Sequence, residues 1–278
     1  MKKYENIVFK TLPEHDLYMD ISVPENVENP PLIMWIHGGG WNALNRFWSI
    51  LIDPMLERGY AVATVEYRYS DEAPFPAQMF DLKDALLFLK KNGEKYGYDS
   101  KKIIVSGDSA GGHLACMVGV SVGNKAWEKE GEDYSVQAVV DFCGPSWLSF
   151  GSKPETNRKN PALEALLGVP ETSKEYLAKA AAASPVTYIN GSEPPFLILH
   201  GSADELVSPI HPRKLRNTLE ENGVDVHMYY VPGGNHGLYG NLINDIIAEF
   251  LDYYIKGTRT VITPEVLPEH HRTLPMKK

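Results

Sequence analysis

The sequence predicts an α/β fold: a mostly parallel, eight-stranded sheet flanked by helices, with a small cap insertion. Three observations carry this. Eight short runs read as strands, helical periodicity separates most of them, and small-residue turns directly follow several of them. The chain has 278 residues. Units of alternating strand and helix often reach such lengths without dividing, so one domain over residues 1–278 is expected.

Taken in order, residues 7–12 and 17–23 alternate partially between apolar and polar, as an exposed antiparallel edge would. Residues 32–37, 60–67, 102–106, 136–142, 196–200 and 225–231 are more continuously apolar, the mark of parallel strands buried on both faces. The clearest helix carries Phe80, Leu82, Ala85, Leu86 and Leu89 in a run reaching Tyr96. In a doubly wound sheet the functional site lies at the carboxyl ends of the strands. The stretch of about fifty residues between Phe142 and Pro195 is long for a single crossover. Within it, residues 161–168 and 173–183 read as helices after a polar stretch, 151–159. A cap insertion over 144–194 is one reading; a single irregular crossover helix with a long surface loop is the other. Residues 258–278 read as a flexible, Pro-containing tail whose pair His270-His271 is too short for a metal site.

Composition narrows the partners. Asp and Glu number 36 against 27 Lys and Arg, a net charge of -9, which argues against nucleic acid or an anionic membrane. No apolar run approaches the ~18 residues of a transmembrane helix. Met1-Lys2-Lys3 has no apolar stretch behind it, so neither a signal peptide nor export is expected and the location is read as cytoplasmic. Cys116 and Cys143 fall in a predicted helix and a predicted strand, as buried reduced thiols would. No Cys pair at zinc spacing and no His-Glu-x-x-His occur, and Gly107–Gly112 lacks the spacing of a dinucleotide fingerprint. Neither metal nor cofactor is expected.

Four motifs carry chemistry. Val105-Ser106-Gly107-Asp108-Ser109-Ala110-Gly111-Gly112 runs from an apolar, β-branched segment into a helix-like one, the context of a nucleophile elbow. Glycines two residues either side of Ser109 let neighbouring backbone pack close to a strained turn. Upstream, a strand ends in His37-Gly38-Gly39-Gly40-Trp41, whose bare backbone N–H groups suit an oxyanion hole. Downstream, a strand ends in His200-Gly201-Ser202-Ala203-Asp204, and the last one leads into Pro232-Gly233-Gly234-Asn235-His236-Gly237. The order serine, aspartate, histidine differs from that of chymotrypsin or subtilisin and is that of the α/β-hydrolases.

With these residues the chain resembles an α/β-hydrolase of the esterase/lipase superfamily. Pairing His-Gly-Gly-Gly-Trp (37–41) with Gly-Asp-Ser-Ala-Gly-Gly (107–112) is similar to the hormone-sensitive-lipase-like and bacterial acetyl- or feruloyl-esterase-like branches, as is the segment 67–77. The resemblance spans roughly 16–256. It implies Ser109 as nucleophile, His236 as general base, Asp204 as the acid that orients it, and Gly39, Gly40 and Ala110 as oxyanion donors. The implied activity is that of a serine carboxylesterase on a small-molecule ester. The stretch before His37 is short, so the large N-terminal helical cap of many hormone-sensitive-lipase relatives is not expected.

Several of these residues have rivals in the sequence. His37, His113, His200, His211 and His227 compete for the base, but His236 alone follows the last strand. Glu205 competes with Asp204, whose shorter side chain suits the strand end. Asp108 reads as structural, His37 as orienting the glycine loop, and Glu66 with Arg68 as a buried pair. Trp41, Trp147 and Tyr239 are the candidate substrate-binding residues, among aromatics that include Phe47, Trp48 and Phe150. Walls of that kind suit short, acetyl-like acyl groups. An amide hydrolase, formamidase or peptidase, and a non-catalytic hydrolase-like binding protein remain as alternatives. Homo-oligomerisation stays open.

Overall fold

The computed structural model describes residues 1–150 and 160–258, and the sequence's polar stretch 151–159 and most of its tail, with His270-His271, lie outside them. One eight-stranded sheet organises the chain. Its strands are β1 (Lys2–Thr11), β2 (Asp16–Val23), β3 (Pro31–Ile36), β4 (Ala61–Val65), β5 (Asp99–Asp108), β6 (Ala138–Phe142), β7 (Phe196–Gly201) and β8 (Val226–Val231), in spatial order β1-β2-β4-β3-β5-β6-β7-β8. The run from β4 to β8 is parallel, and β2 is antiparallel to both of its neighbours.

Both faces of the parallel strands are buried, which is why they read as continuous apolar runs. Side chains alternate between two cores. Leu32, Met34 and Ile36 of β3 join one, while Ile33 and Trp35 join the other. The first core is closed by α2 (Ala77–Tyr96), α3 (Ala110–Val120) and α6 (Ile210–Glu221), the second by α1 (Ile52–Glu57) and α7 (Asn241–Leu251). Two further helices, α4 (Pro161–Leu167) and α5 (Tyr176–Ala182), lie in the insertion and add Leu163, Leu166 and Ala180 to the first core. The α4 start is encoded locally. Asn160 accepts a hydrogen bond from the Leu163 amide at 3.1 Å, Pro161 fills the first turn, and Gly168 closes the helix at φ 64°.

Several elements differ from the expected ones. β1 begins at Lys2 rather than residue 7, because its polar start is paired by the β2 backbone, Lys2 opposite Val23 and Tyr4 opposite Ile21. The α2 stripe facing the core uses Met79 rather than Phe80, which is 41% exposed. The expected Glu66–Arg68 pair does not form. Both residues lie beyond the end of β4, where the chain has left the sheet, and each meets a different neighbour: Arg68 holds Asp81 of α2 with Nε and Nη2, both at 2.9 Å, and Glu66 pairs with Arg46. Among the described residues no helix is long and apolar enough to cross a membrane.

Candidate active site

β5 delivers Ser109 to the sheet's carboxyl edge and α3 begins immediately after it. Ser109 adopts φ 54° and ψ -117°, a conformation that L-residues rarely hold, and its N–H donates to the Phe142 carbonyl at 2.7 Å. Gly111 makes this turn feasible, since a Cβ there would lie 2.1 Å from the carbonyl oxygen of Ile36 at the end of β3. Backbone-to-backbone contact thus fixes the elbow against the strand that launches the glycine loop.

That loop places Gly39 at φ 100° and Gly40 at φ 61°, and a Cβ on Gly39 would fall 2.0 Å from the Ala43 carbonyl oxygen. Neither amide donates a hydrogen bond within the described residues, and the Ala110 N–H lies in the first turn of α3, where helix amides have no intrahelical acceptor. Asp108 ties loop to elbow. Its Oδ1 accepts from the Gly38 amide at 2.9 Å and its Oδ2 from Trp48 Nε1 at 3.4 Å. Burial pushes its carboxyl up to about 6 against those donors.

His37 donates through Nδ1 to the Gly38 carbonyl at 2.9 Å and stacks on Tyr67, whose hydroxyl donates to the His37 carbonyl at 3.0 Å. Burial lowers its pKa to about 4, so the ring is neutral. Trp41, 5% exposed, donates from Nε1 to His113 Nδ1 at 3.0 Å, and His113 Nε2 in turn donates to the Ala183 carbonyl at 2.7 Å. A buried neutral histidine therefore connects the glycine loop to the end of α5.

Asp204 and His236 meet. The His236 Nδ1 to Asp204 Oδ2 distance is 2.7 Å, while Oδ1 accepts the Leu206 and Val207 amides, both at 2.9 Å. Burial raises the Asp204 pKa, but the hydrogen bond and charge of His236, the Val207 amide and nearby His200 outweigh it, leaving the carboxyl below its ordinary value. Glu205 points to solvent. His200 is buried, with Nε2 2.9 Å from the Val207 carbonyl and 3.4 Å from Asp204 Oδ2. Cys143, His200 and Asp204 bring potential ligand atoms within 4.8 Å of one another. Both Asp204 oxygens already accept hydrogen bonds, Cys143 Sγ donates to the Leu199 carbonyl and His200 Nε2 to the Val207 carbonyl, so the trio reads as part of the fold's own hydrogen bonding.

Two cavities converge on Ser109. The smaller, about 300 Å³, is lined by Ser109 and His236 with Asp108, Trp48, Cys143 and Leu238 among others. The larger, about 760 Å³, takes in Ser109, Gly40, Ala110, Trp41, Leu163 of α4 and His211 of α6. Trp41 thus lines a cavity, whereas Trp147 and Tyr239 line neither of the two. Trp147 instead packs on Phe150, with ring centroids 4.8 Å apart. Phe47 is exposed and lies under the Arg46 guanidinium. Cys143, His211 and Leu163 carry no sequence signal as pocket residues. Each reaches the cavity from a different element, and no local pattern connects them.

Beneath the elbow lies a buried acid, Asp141 of β6. Its Oδ1 accepts the Gly144 amide at 2.9 Å, its Oδ2 accepts no hydrogen bond among the described residues, and the neighbouring Cys116 thiol favours its charged form. Burial pushes this carboxyl from 3.8 up to about 7. Because the folded value is the higher one, the stability it contributes is whole below pH 3.8 and is lost as pH rises to about 7. Asp141→Asn should therefore gain stability relative to wild type between pH 4 and 8 in urea unfolding. A difference that stays constant with pH would show that Asp141 ionises freely in the folded state.

An elbow serine, a strand-end acid, a late histidine and this strand order together define an α/β-hydrolase. More narrowly, the chain belongs to the BD-FAE family, whose model matches residues 19–219. Among curated relatives, it is 29% identical to esterase LipC of Mycobacterium tuberculosis over 74% of this chain and 53% of that one. It is 27% identical to esterase LipQ of the same organism, over 80% and 55%. The chain spans about half the length of these curated relatives. A truncated carbohydrate esterase from gut microbiota superposes with a TM-score of 0.81 at 26% identity, over 91% of this chain and 96% of that one. The propionate-bound Est2 esterase of Thermogutta terrifontis does so at 0.70 and 25%, over 89% and 93%.

Proposed function

We propose that this chain is a serine carboxylesterase acting on short-chain, acetyl-like acyl esters. One observation carries the reading: Ser109, on its strained turn, shares a cavity with His236, whose Nδ1 is held by Asp204 at 2.7 Å. His236 takes the Ser109 proton through Nε2 as Ser109 Oγ attacks the ester carbonyl. The amides of Gly39, Gly40 and Ala110 hold the oxyanion. His236 then protonates the leaving alcohol, and the acyl-enzyme is cleaved by water that His236 activates. Asp204 fixes the imidazole tautomer and stabilises the imidazolium.

The esterase names of LipC, LipQ, the gut carbohydrate esterase and Est2 support ester over amide chemistry. The propionate in the Est2 neighbour supports a short acyl group. We also take the segment 144–194 as a cap: α4 contributes Ala162 and Leu163 to the larger cavity. Trp41, Leu148 and Leu163 would then limit acyl length. Each methylene that fits adds ~0.8 kcal/mol of burial, and one forced into a full site costs ~1–3 kcal/mol. Across 4-nitrophenyl esters kcat/KM should fall steeply beyond about C4, with no activation at lipid interfaces. Equal or better turnover of octanoyl esters would show an open site and overturn the short-chain assignment.

A further inference from the structure

The two cavities that meet at Ser109 divide the groups that ester hydrolysis needs, and the division orients the substrate. This rests on the esterase reading above. His236 must reach the leaving oxygen to protonate it, and of the two cavities it lines the smaller. Gly40 and Ala110 line the larger. With the alkoxy group turned toward His236 and the carbonyl oxygen toward the amides, the acyl chain enters the larger cavity.

That cavity is walled mainly by apolar side chains, Trp41, Leu148, Leu163 and Val207 among them, and away from Ser109 two polar side chains interrupt the wall: Asn160, whose Oδ1 caps α4, and His211. The His211 ring is held in one tautomer. Its Nδ1 accepts the Trp147 amide at 3.3 Å, which leaves the proton on Nε2, and Nε2 has no hydrogen-bond partner among the described residues. Ser146 Oγ donates to the His211 carbonyl at 2.7 Å and fixes the backbone behind the ring. Burial lowers the His211 pKa to about 4, with His200 and His113 adding to the effect, so the ring is a neutral donor at pH 7. A neutral N–H in an apolar wall discriminates for an acceptor, because a substrate lacking one leaves the donor unsatisfied.

We propose that His211 is a specificity-determining residue whose Nε2–H receives an ether, keto or hydroxyl oxygen carried on a short acyl chain. The test compares isosteric 4-nitrophenyl esters in which one methylene becomes oxygen: methoxyacetyl against butyryl, and 3-methoxypropionyl against pentanoyl. Intrinsic reactivity cancels when the oxa-to-carba ratio of kcat/KM is compared between proteins. His211→Leu should lower that ratio ~3–10-fold in at least one pair. His211→Gln, whose amide N–H reaches about the same place, should keep most of it. Ratios equal in all three proteins for both pairs overturn the proposal. So does a response confined to 2-methoxyethyl against butyl acetate, where the oxygen sits in the alcohol half.

If His211→Leu does not fold, the wild type decides. With Ser109 modified by oxa-alkyl or alkyl phosphonates, the His211 Nε2–H resonance should move downfield for the oxa adduct alone. Equal shifts overturn the proposal. A wild type that neither hydrolyses these esters nor reacts with phosphonates overturns the esterase reading itself, whereas an active wild type with unresponsive ratios overturns only the role of His211.

Discussion

Ser109→Ala should reduce ester hydrolysis at least ~10³-fold while leaving the fold intact, because members of a catalytic triad act as a unit. The structural cost of the change is small. The Ser109 contact that anchors the turn is made by its backbone N–H to the Phe142 carbonyl, which alanine retains, and the close packing of the elbow belongs to Gly111. Residual activity would come from the oxyanion amides and substrate binding alone. A fluorophosphonate probe should label Ser109 in the wild type and nothing in the variant. A folded variant with near-normal turnover would sink the serine-esterase reading and reopen the binding-protein alternative.

Asp204→Asn should cost ~10³–10⁴-fold in kcat, with Glu205→Gln close to wild type. The carboxylate holds His236 Nδ1–H at 2.7 Å and so keeps the Nε2 lone pair free for the serine proton. An asparagine turning its N–H toward Nδ1 would reverse that tautomer. The carbonyl of the new side chain could still accept the Leu206 and Val207 amides, both now at 2.9 Å from Oδ1, so the loop should survive. Glu205 is exposed and its side chain has no part in holding the imidazole. Steady-state kinetics on one activated ester, with circular dichroism as a folding control, checks the pair. Loss of activity in Glu205→Gln with none in Asp204→Asn would move the acid to Glu205.

Much of the candidate site was legible because its chemistry is local. A strained turn needs small residues at fixed offsets, so Gly107 and Gly111 announce Ser109. Bare amides need glycines, so Gly39 and Gly40 mark the candidate oxyanion loop. Both follow apolar strands, and a parallel sheet gathers strand ends on one edge. Position after the last strand sets His236 apart from the other histidines, and the shorter side chain favours Asp204 over the adjacent Glu205. The α2 stripe was less secure: Phe80 and Met79 are adjacent, and only packing against the sheet determines which of them is buried. Arg68 likewise found Asp81 on α2 rather than Glu66, since both residues lie past the end of β4 and only the packing of α2 and of Arg46 around them sets their partners.

The sequence by itself determined the strand pattern, the motif order and the residue types at each strand end, because periodicity and turn chemistry depend on near neighbours. Tertiary structure decided what surrounds them. It joined Asp108 to the Gly38 amide, Trp41 to His113, and the Trp147 amide to His211. It also left Trp147 and Tyr239 out of both cavity walls and brought Leu163 and His211 in. Such contacts join residues far apart along the chain, and their partners are selected by the space left once the sheet, helices and insertion have packed. Neither residue type nor spacing encodes that space.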